Sequence, residues 1–209
     1  MELFSYVVAR DYGFAPNPFD GHCTLATCKP DIRQRANVGD WLAGIASAND
    51  SRIPRLVYAM RVDEVLTYDS YWRQPRFHYK RPLRTGSVKQ LFGDNIYHRN
   101  GNGEWIQADS HHSHHDGSPN QRNIINDTQS HGVLVSEHFA YWGSKAVEIP
   151  QRFLDFDGET LLIGRGYRRH FSAAFINEFV QWFEGLQMMG FLGAPYQWER
   201  RSARWSRPQ

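Results

Sequence analysis

The stretch DSHHSHHDGSPN, Asp109 to Asn120, holds four of the chain's ten histidines and two aspartates. Imidazoles titrate near neutrality, so they can move protons, bind metal or meet phosphate. Three roles fit the stretch. In a catalytic role, His112 or His114 is the general acid or base, with Asp116, Asp109 or Asp127 as its partner. In a metal role, His111, His112, His114 and His115 share a divalent ion with Asp109 or Asp116. Neutral imidazoles suit zinc and similar ions, although the spacing is not that of H-E-x-x-H or another dense metal motif. In the third role, Asp116-Gly117-Ser118-Pro119 closes a polar turn.

Other residues carry chemistry too. Cys23 lies next to His22 and can act as a nucleophile. Cys23 and Cys28 can supply two ligands to a metal, but a tetrahedral site needs two more. Simple packing of buried thiols is the commoner fate. Lys29, just before Pro30, suits a phosphate. In FAPNPF, Phe14 to Phe19, two prolines fix the backbone around Asn17, whose amide offers the donor and acceptor that a base edge needs. The alternative there is a rigid structural turn. Asp40, in a Gly-Asp turn, is expected to accept backbone N–H groups, while Trp41 either floors a pocket or packs in the core.

The segment Tyr71 to Arg84, YWRQPRFHYKRPLR, has five basic residues and no acid. Tyr71 and Trp72 can stack on bases while Arg73, Arg76, Lys80 and Arg81 meet phosphates. A solvated basic loop is the plainer alternative. Residues 199–209 form a second basic block, with four arginines and one glutamate.

These residues need a frame. Leu3–Arg10 reads as a strand, Asp31–Asn37 as a short helical turn, and Gly39–Ser47 as a turn entering a strand. Arg55–Tyr68 begins as a strand and bends into another element, with a helical turn at Asp69–Trp72. Residues 86–131 show little periodicity, apart from the hairpin signal NGNGEW at Asn100–Trp105. Gly132–Gly143 reads as a strand. Phe171–Gly190 is the clearest helix: Ser172 caps it, Phe175, Phe179, Trp182, Phe183 and Leu186 share its buried face, and Gly190 ends it.

The chain of 209 residues suits one domain, residues 1–198, followed by the basic tail. Hydrophobic residues make up 41% and charged ones 22%, which is the balance of a globular protein rather than a disordered one. No apolar run is long enough for a membrane span, and no secretory leader is evident. Two cysteines are too few for a disulfide framework, so a cytoplasmic protein with reduced thiols is expected.

The strings DYGFAPNPFDGHCTLATCKPDIR and VGDWLAGIAS resemble the second type of nucleotide modification associated domain. The resemblance continues through RLVYAMRVDEVLTYDSYW, GDNIYH, DSHHSHHDGSPN and GVLVSEHFAYWG, over roughly residues 1–150. It implies a setting of DNA base modification in phage and bacteria. The order of VGDWLAGIAS and RLVYAMRVDEVLTYDSYW is also similar to PUA-like folds, including EVE and ASCH domains. The expected architecture is therefore α+β, a PUA-like, partly closed β-barrel with long loops and a long C-terminal helix. The expected function is recognition of a nucleotide or modified base, with DNA as the expected partner. An enzyme acting on nucleotides or DNA bases is the alternative, and an interaction module with a basic tail is the third reading.

Overall fold

The computed structural model describes residues 1–48, 50–130 and 132–198. The basic tail at 199–209 lies outside the described residues. The strands are β1 (Leu3–Val8), β2 (Cys23–Leu25), β3 (Trp41–Ala46), β4 (Arg55–Arg61), β5 (Glu64–Leu66), β6 (Tyr97–Arg99), β7 (Trp105–Gln107), β8 (Val133–Ser136), β9 (Phe139–Tyr141), β10 (Val147–Glu148), β11 (Tyr167–Arg168) and β12 (Gly190–Phe191). The α-helices are α1 (Pro30–Arg35), α2 (Tyr68–Arg73), α3 (Val88–Leu91), α4 (Gln121–Thr128) and α5 (Ala173–Gly185).

The architecture is mixed α+β. Among the described residues the strands form three sheets, and none closes into a barrel. The large sheet runs β11-β1-β3-β4-β9-β12, with β10 also on β4. A second sheet runs β2-β8-β5, and β6 and β7 pair as a separate hairpin. β1 and β3 are parallel, with Leu3 opposite Trp41 and Val8 opposite Ala46.

Alternation along β1 and β3 sends side chains to both faces of the large sheet, and both faces are covered. On one face, Trp41 meets the apolar stripe of α5, with its ring centroid 5.0 Å from that of Phe183. Phe175, Phe179 and Phe183 are all buried there. Burying each such ring contributes roughly 1.5–3 kcal/mol. On the other face, Phe4, Tyr6, Leu42 and Tyr58 pack with Leu25 and Leu134 of the second sheet.

The Ser172 hydroxyl accepts the Phe175 amide at 3.1 Å and starts α5. The helix ends at Gly185 rather than at Gly190, which opens β12. The run Gly132–Gly143 divides into β8 and β9, which belong to different sheets. Asp63 holds the corner between them, accepting the amides of Glu137 at 2.8 Å and His138 at 3.1 Å. Asp40 accepts the amides of Glu2 at 2.6 Å and Asn37 at 2.9 Å, and so ties the start of β1 to the turn before β3.

Candidate active site

Cys28 sits in the short turn from β2 to α1. Its φ is 56° and that of Lys29 is 40°, so two successive side-chain-bearing residues adopt the left-handed conformation. This conformation costs an L-residue roughly 1–2 kcal/mol, and strain of this kind persists only where the surroundings impose it. Pro30 then opens α1 with the backbone angle that a first helical turn needs.

Arg33, one turn into α1, imposes the turn. It is 1% exposed. Its Nε donates to the Cys28 carbonyl at 2.8 Å and its Nη2 to the Asp127 carbonyl at 2.7 Å. Its Nη1 donates to the Tyr68 hydroxyl at 2.6 Å and the Gly132 carbonyl at 3.0 Å. The planar fork thereby joins α1, α2, α4 and the entry to β8 at one point.

α4 delivers Asp127, and its sequence QRNIINDT has just two apolar residues, Ile124 and Ile125. The Asn120 side chain starts it by accepting the Asn123 amide at 3.2 Å. Asp127 is fully buried, and its carboxylate has two distinct jobs. Oδ1 accepts the Cys28 amide at 2.8 Å. Oδ2 accepts the Tyr97 hydroxyl at 2.9 Å and pairs with His112 Nδ1 at 2.8 Å.

The other ring nitrogen of His112, Nε2, lies 3.7 Å from Cys28 Sγ. The His112 carbonyl accepts the Asn123 side-chain amide at 2.7 Å, and its ring stands edge-on to Phe14, with centroids 4.7 Å apart. Thiol, imidazole and carboxylate thus form one chain of contacts in which each member orients the next.

Burial disfavours a charged His112. The Asp127 hydrogen bond, the Cys28 contact and the Asp127 charge outweigh burial and push the His112 pKa up to about 9. Burial likewise opposes the Asp127 carboxylate. The His112 hydrogen bond and charge, the Arg33 charge and the Cys28 amide hold its pKa below the usual carboxylate value. Cys23 contrasts with Cys28: it is fully buried in the core, and burial raises its thiol pKa.

The relay opens into a hollow of about 440 Å³ at the C-terminal end of β1. Arg10, Tyr12, Lys29, His111 and Asn126 help to line it. Lys29 Nζ lies 4.7 Å from the centre of the Tyr6 ring, and burial lowers its pKa while the nearby Cys28 partly offsets this. The Tyr12 and His111 rings meet at 4.8 Å on the wall.

Of the residues singled out in the sequence, Cys28, Lys29, His111 and His112 meet in this hollow. His114, His115 and Asp116 are exposed. Asp116 closes its own turn, accepting the Ser118 amide at 2.9 Å and hydroxyl at 2.6 Å. Asp109 pairs with Arg84 at 3.5 Å. Among the described residues, no three His, Cys, Asp or Glu side chains gather as a metal would need. His112 points its two nitrogens at different partners, which is a relay rather than a chelate.

The remaining candidates are mostly engaged inside the fold. Lys80, 1% exposed, donates to the Asn17 carbonyl at 2.9 Å, the Asn17 side-chain oxygen at 2.7 Å and the His22 carbonyl at 3.0 Å. The Asn17 amide donates to Gly13 and Phe92 carbonyls, so it faces inward, not toward a ligand. Tyr71 is fully buried and donates to Asp94 at 2.7 Å. Trp41 is core. Trp72 stacks on His98 at 4.0 Å, and Arg81 lies 4.0 Å from the Trp72 ring centre. Arg76 grips Glu64 through two bonds of 2.7 Å. Arg73 is exposed.

Fold and site together define an α+β domain with a cysteine–histidine–aspartate relay at the side of a basic, aromatic-walled hollow. The chain belongs to the family described as nucleotide modification associated domain 2, whose model matches residues 1–202. No curated protein and no solved structure matches it.

Proposed function

We propose that this domain is a cysteine-dependent enzyme acting on a nucleotide or nucleobase through a covalent intermediate. The observation that carries this is the contact chain Cys28 Sγ–His112–Asp127, 3.7 and 2.8 Å, at the edge of a hollow. In the reactive form the proton shared by Cys28 and His112 rests on His112, which its pKa of about 9 favours, and Asp127 stabilises that imidazolium. Cys28 sulfur bonds an electrophilic carbon of a carbonyl or amidine on the base or its substituent. The bond to the leaving nitrogen breaks as His112 returns the proton to it. Water or an acceptor amine then attacks, gives its proton to His112 and releases the thiol. Lys29 and Asn126 line the hollow with donors for charge that develops on the substrate.

The family supports a nucleotide-modification setting. Within it, a phage-conflict role, DNA as the polymer and a cytoplasmic site of action belong to the same proposal. Pure recognition of a modified base in a PUA-like pocket is the second reading, favoured by the Tyr12 and His111 rings on the wall. Among the described residues, no helix is long and apolar enough to cross a membrane.

Iodoacetamide labelling followed by intact mass and peptide mapping separates the two readings. The enzyme reading expects rapid, selective alkylation of Cys28, with Cys23 silent until unfolding. Labelling of Cys28 no faster than of the unfolded chain rejects the relay and leaves recognition.

A further inference from the structure

The central hollow is not isolated. Asn126 is shared with a neighbouring hollow of about 810 Å³ that Arg122 and Gln129 also line. His111 is shared with another, of about 540 Å³, lined by Arg84, His114 and His115. The three hollows therefore adjoin through shared wall residues, and Cys28 and His112 line the one that touches both others; together they make up a furrow. Arg122 lines the hollow that shares Asn126, Arg10 and Lys29 the one that holds Cys28, and Arg84, His114 and His115 the one that shares His111. Among the described residues, no aspartate or glutamate lines any of the three. In a chain with 22 acidic and 24 basic residues, an extended furrow without acids is matched to an extended anion.

We propose that the furrow is the track of a single strand of nucleic acid, with one base turned down into the Cys28 hollow. This deepens the proposed function and rests on it for the fate of that base. Phosphates on the two sides would meet Arg122 and Arg84. Arg84 pairs with Asp109, but both side chains are well exposed, at 39% and 46%, and such a pair yields readily to phosphate. The half-buried Tyr12 ring, stacked on Phe92, and the exposed His111 beside it give the central wall an aromatic character that suits a base. A duplex keeps its bases paired and stacked and cannot present one to Cys28 without extrusion. A free mononucleotide would occupy the centre and leave both flanking hollows unused.

The test is fluorescence anisotropy of the full chain with three probes: a mixed-sequence DNA oligonucleotide, its annealed duplex, and the four deoxynucleoside monophosphates. The track expects the single strand to bind at least about a hundredfold more tightly than any monophosphate, and more tightly than the duplex. The double variant Arg84→Ala, Arg122→Ala should weaken the single strand about tenfold and reduce the salt slope by about 0.7 per lost phosphate contact. Equal affinity for strand and monophosphate, or an unchanged slope in the variant, overturns the track even if Cys28 is reactive. Strand binding with an unreactive Cys28 keeps the track and removes only the chemistry.

Discussion

Cys28 and Asp127 are 99 residues apart in the chain, yet the Cys28 amide donates directly to the Asp127 carboxylate at 2.8 Å. The same carboxylate reaches the Cys28 thiol a second way, through His112. One side chain therefore fixes the backbone of the candidate nucleophile and also the base beside it.

That double role predicts the effect of Asp127→Asn. The variant keeps the shape but removes the charge that sustains the His112 imidazolium. Turnover, or the rate of Cys28 alkylation, should fall by about 10²–10⁴. The pH profile should shift to lower pH as the His112 pKa drops. An unchanged profile would show that Asp127 serves the fold alone.

The His112–Asp127 pair also makes stability depend on pH. The folded His112 pKa, about 9, lies above its unfolded value, so its contribution is complete below the unfolded value of about 6.5. It is lost as pH rises through about 9, and amounts to at most about 3 kcal/mol. Asp127 acts in the opposite sense, contributing above its unfolded value of about 3.9 and losing that contribution as pH falls below it. Urea midpoints measured across the alkaline window should decline in the native chain and stay level in His112→Gln. Parallel declines in both would place the effect elsewhere.

Arg33 should tolerate little change. Lysine keeps the charge but cannot spread donors over four acceptors. Arg33→Lys should cost about 2–4 kcal/mol, read as a lower thermal midpoint, and should slow Cys28 alkylation in the folded fraction. Normal alkylation in a destabilised variant would detach the fork from the placement of the thiol.

Asn17 and Lys80 should behave as a structural pair. Asn17→Ala and Lys80→Met each strand buried polar partners and should cost about 1–3 kcal/mol. Nucleotide affinity of the folded protein should not move. A selective loss of affinity at full stability would return Asn17 to the binding surface.

The frame was readable where local patterns decide structure. The α5 stripe, the Asn100–Trp105 turn and the Asp40 turn all appear as their residues suggest. α4 was not legible, because its register comes from Asn120 and from the burial of Ile124 and Asp127, not from an apolar stripe. The site followed the same division. The histidine stretch drew attention by composition, and His112 lies in the relay. In the cysteine pair, adjacency favoured Cys23 beside His22, whereas Cys28 is the thiol that contacts an imidazole, and its partner His112 comes 84 residues later. The Tyr71–Arg84 segment looked like a ligand surface because sequence shows charges but not their partners. Glu64, Asn17 and the Trp72 ring had already taken Arg76, Lys80 and Arg81.

The reach of Arg33 has a consequence for synthesis. Its farthest acceptor, the Gly132 carbonyl, lies 99 residues downstream. A ribosome exposes the Cys28 thiol long before it has made His112, Asp127 or the carbonyl that locks them together. Throughout that interval the cysteine lacks the imidazole and carboxylate that the proposed chemistry needs. On the proposed mechanism, the chemistry can begin only when the second half of the domain has arrived.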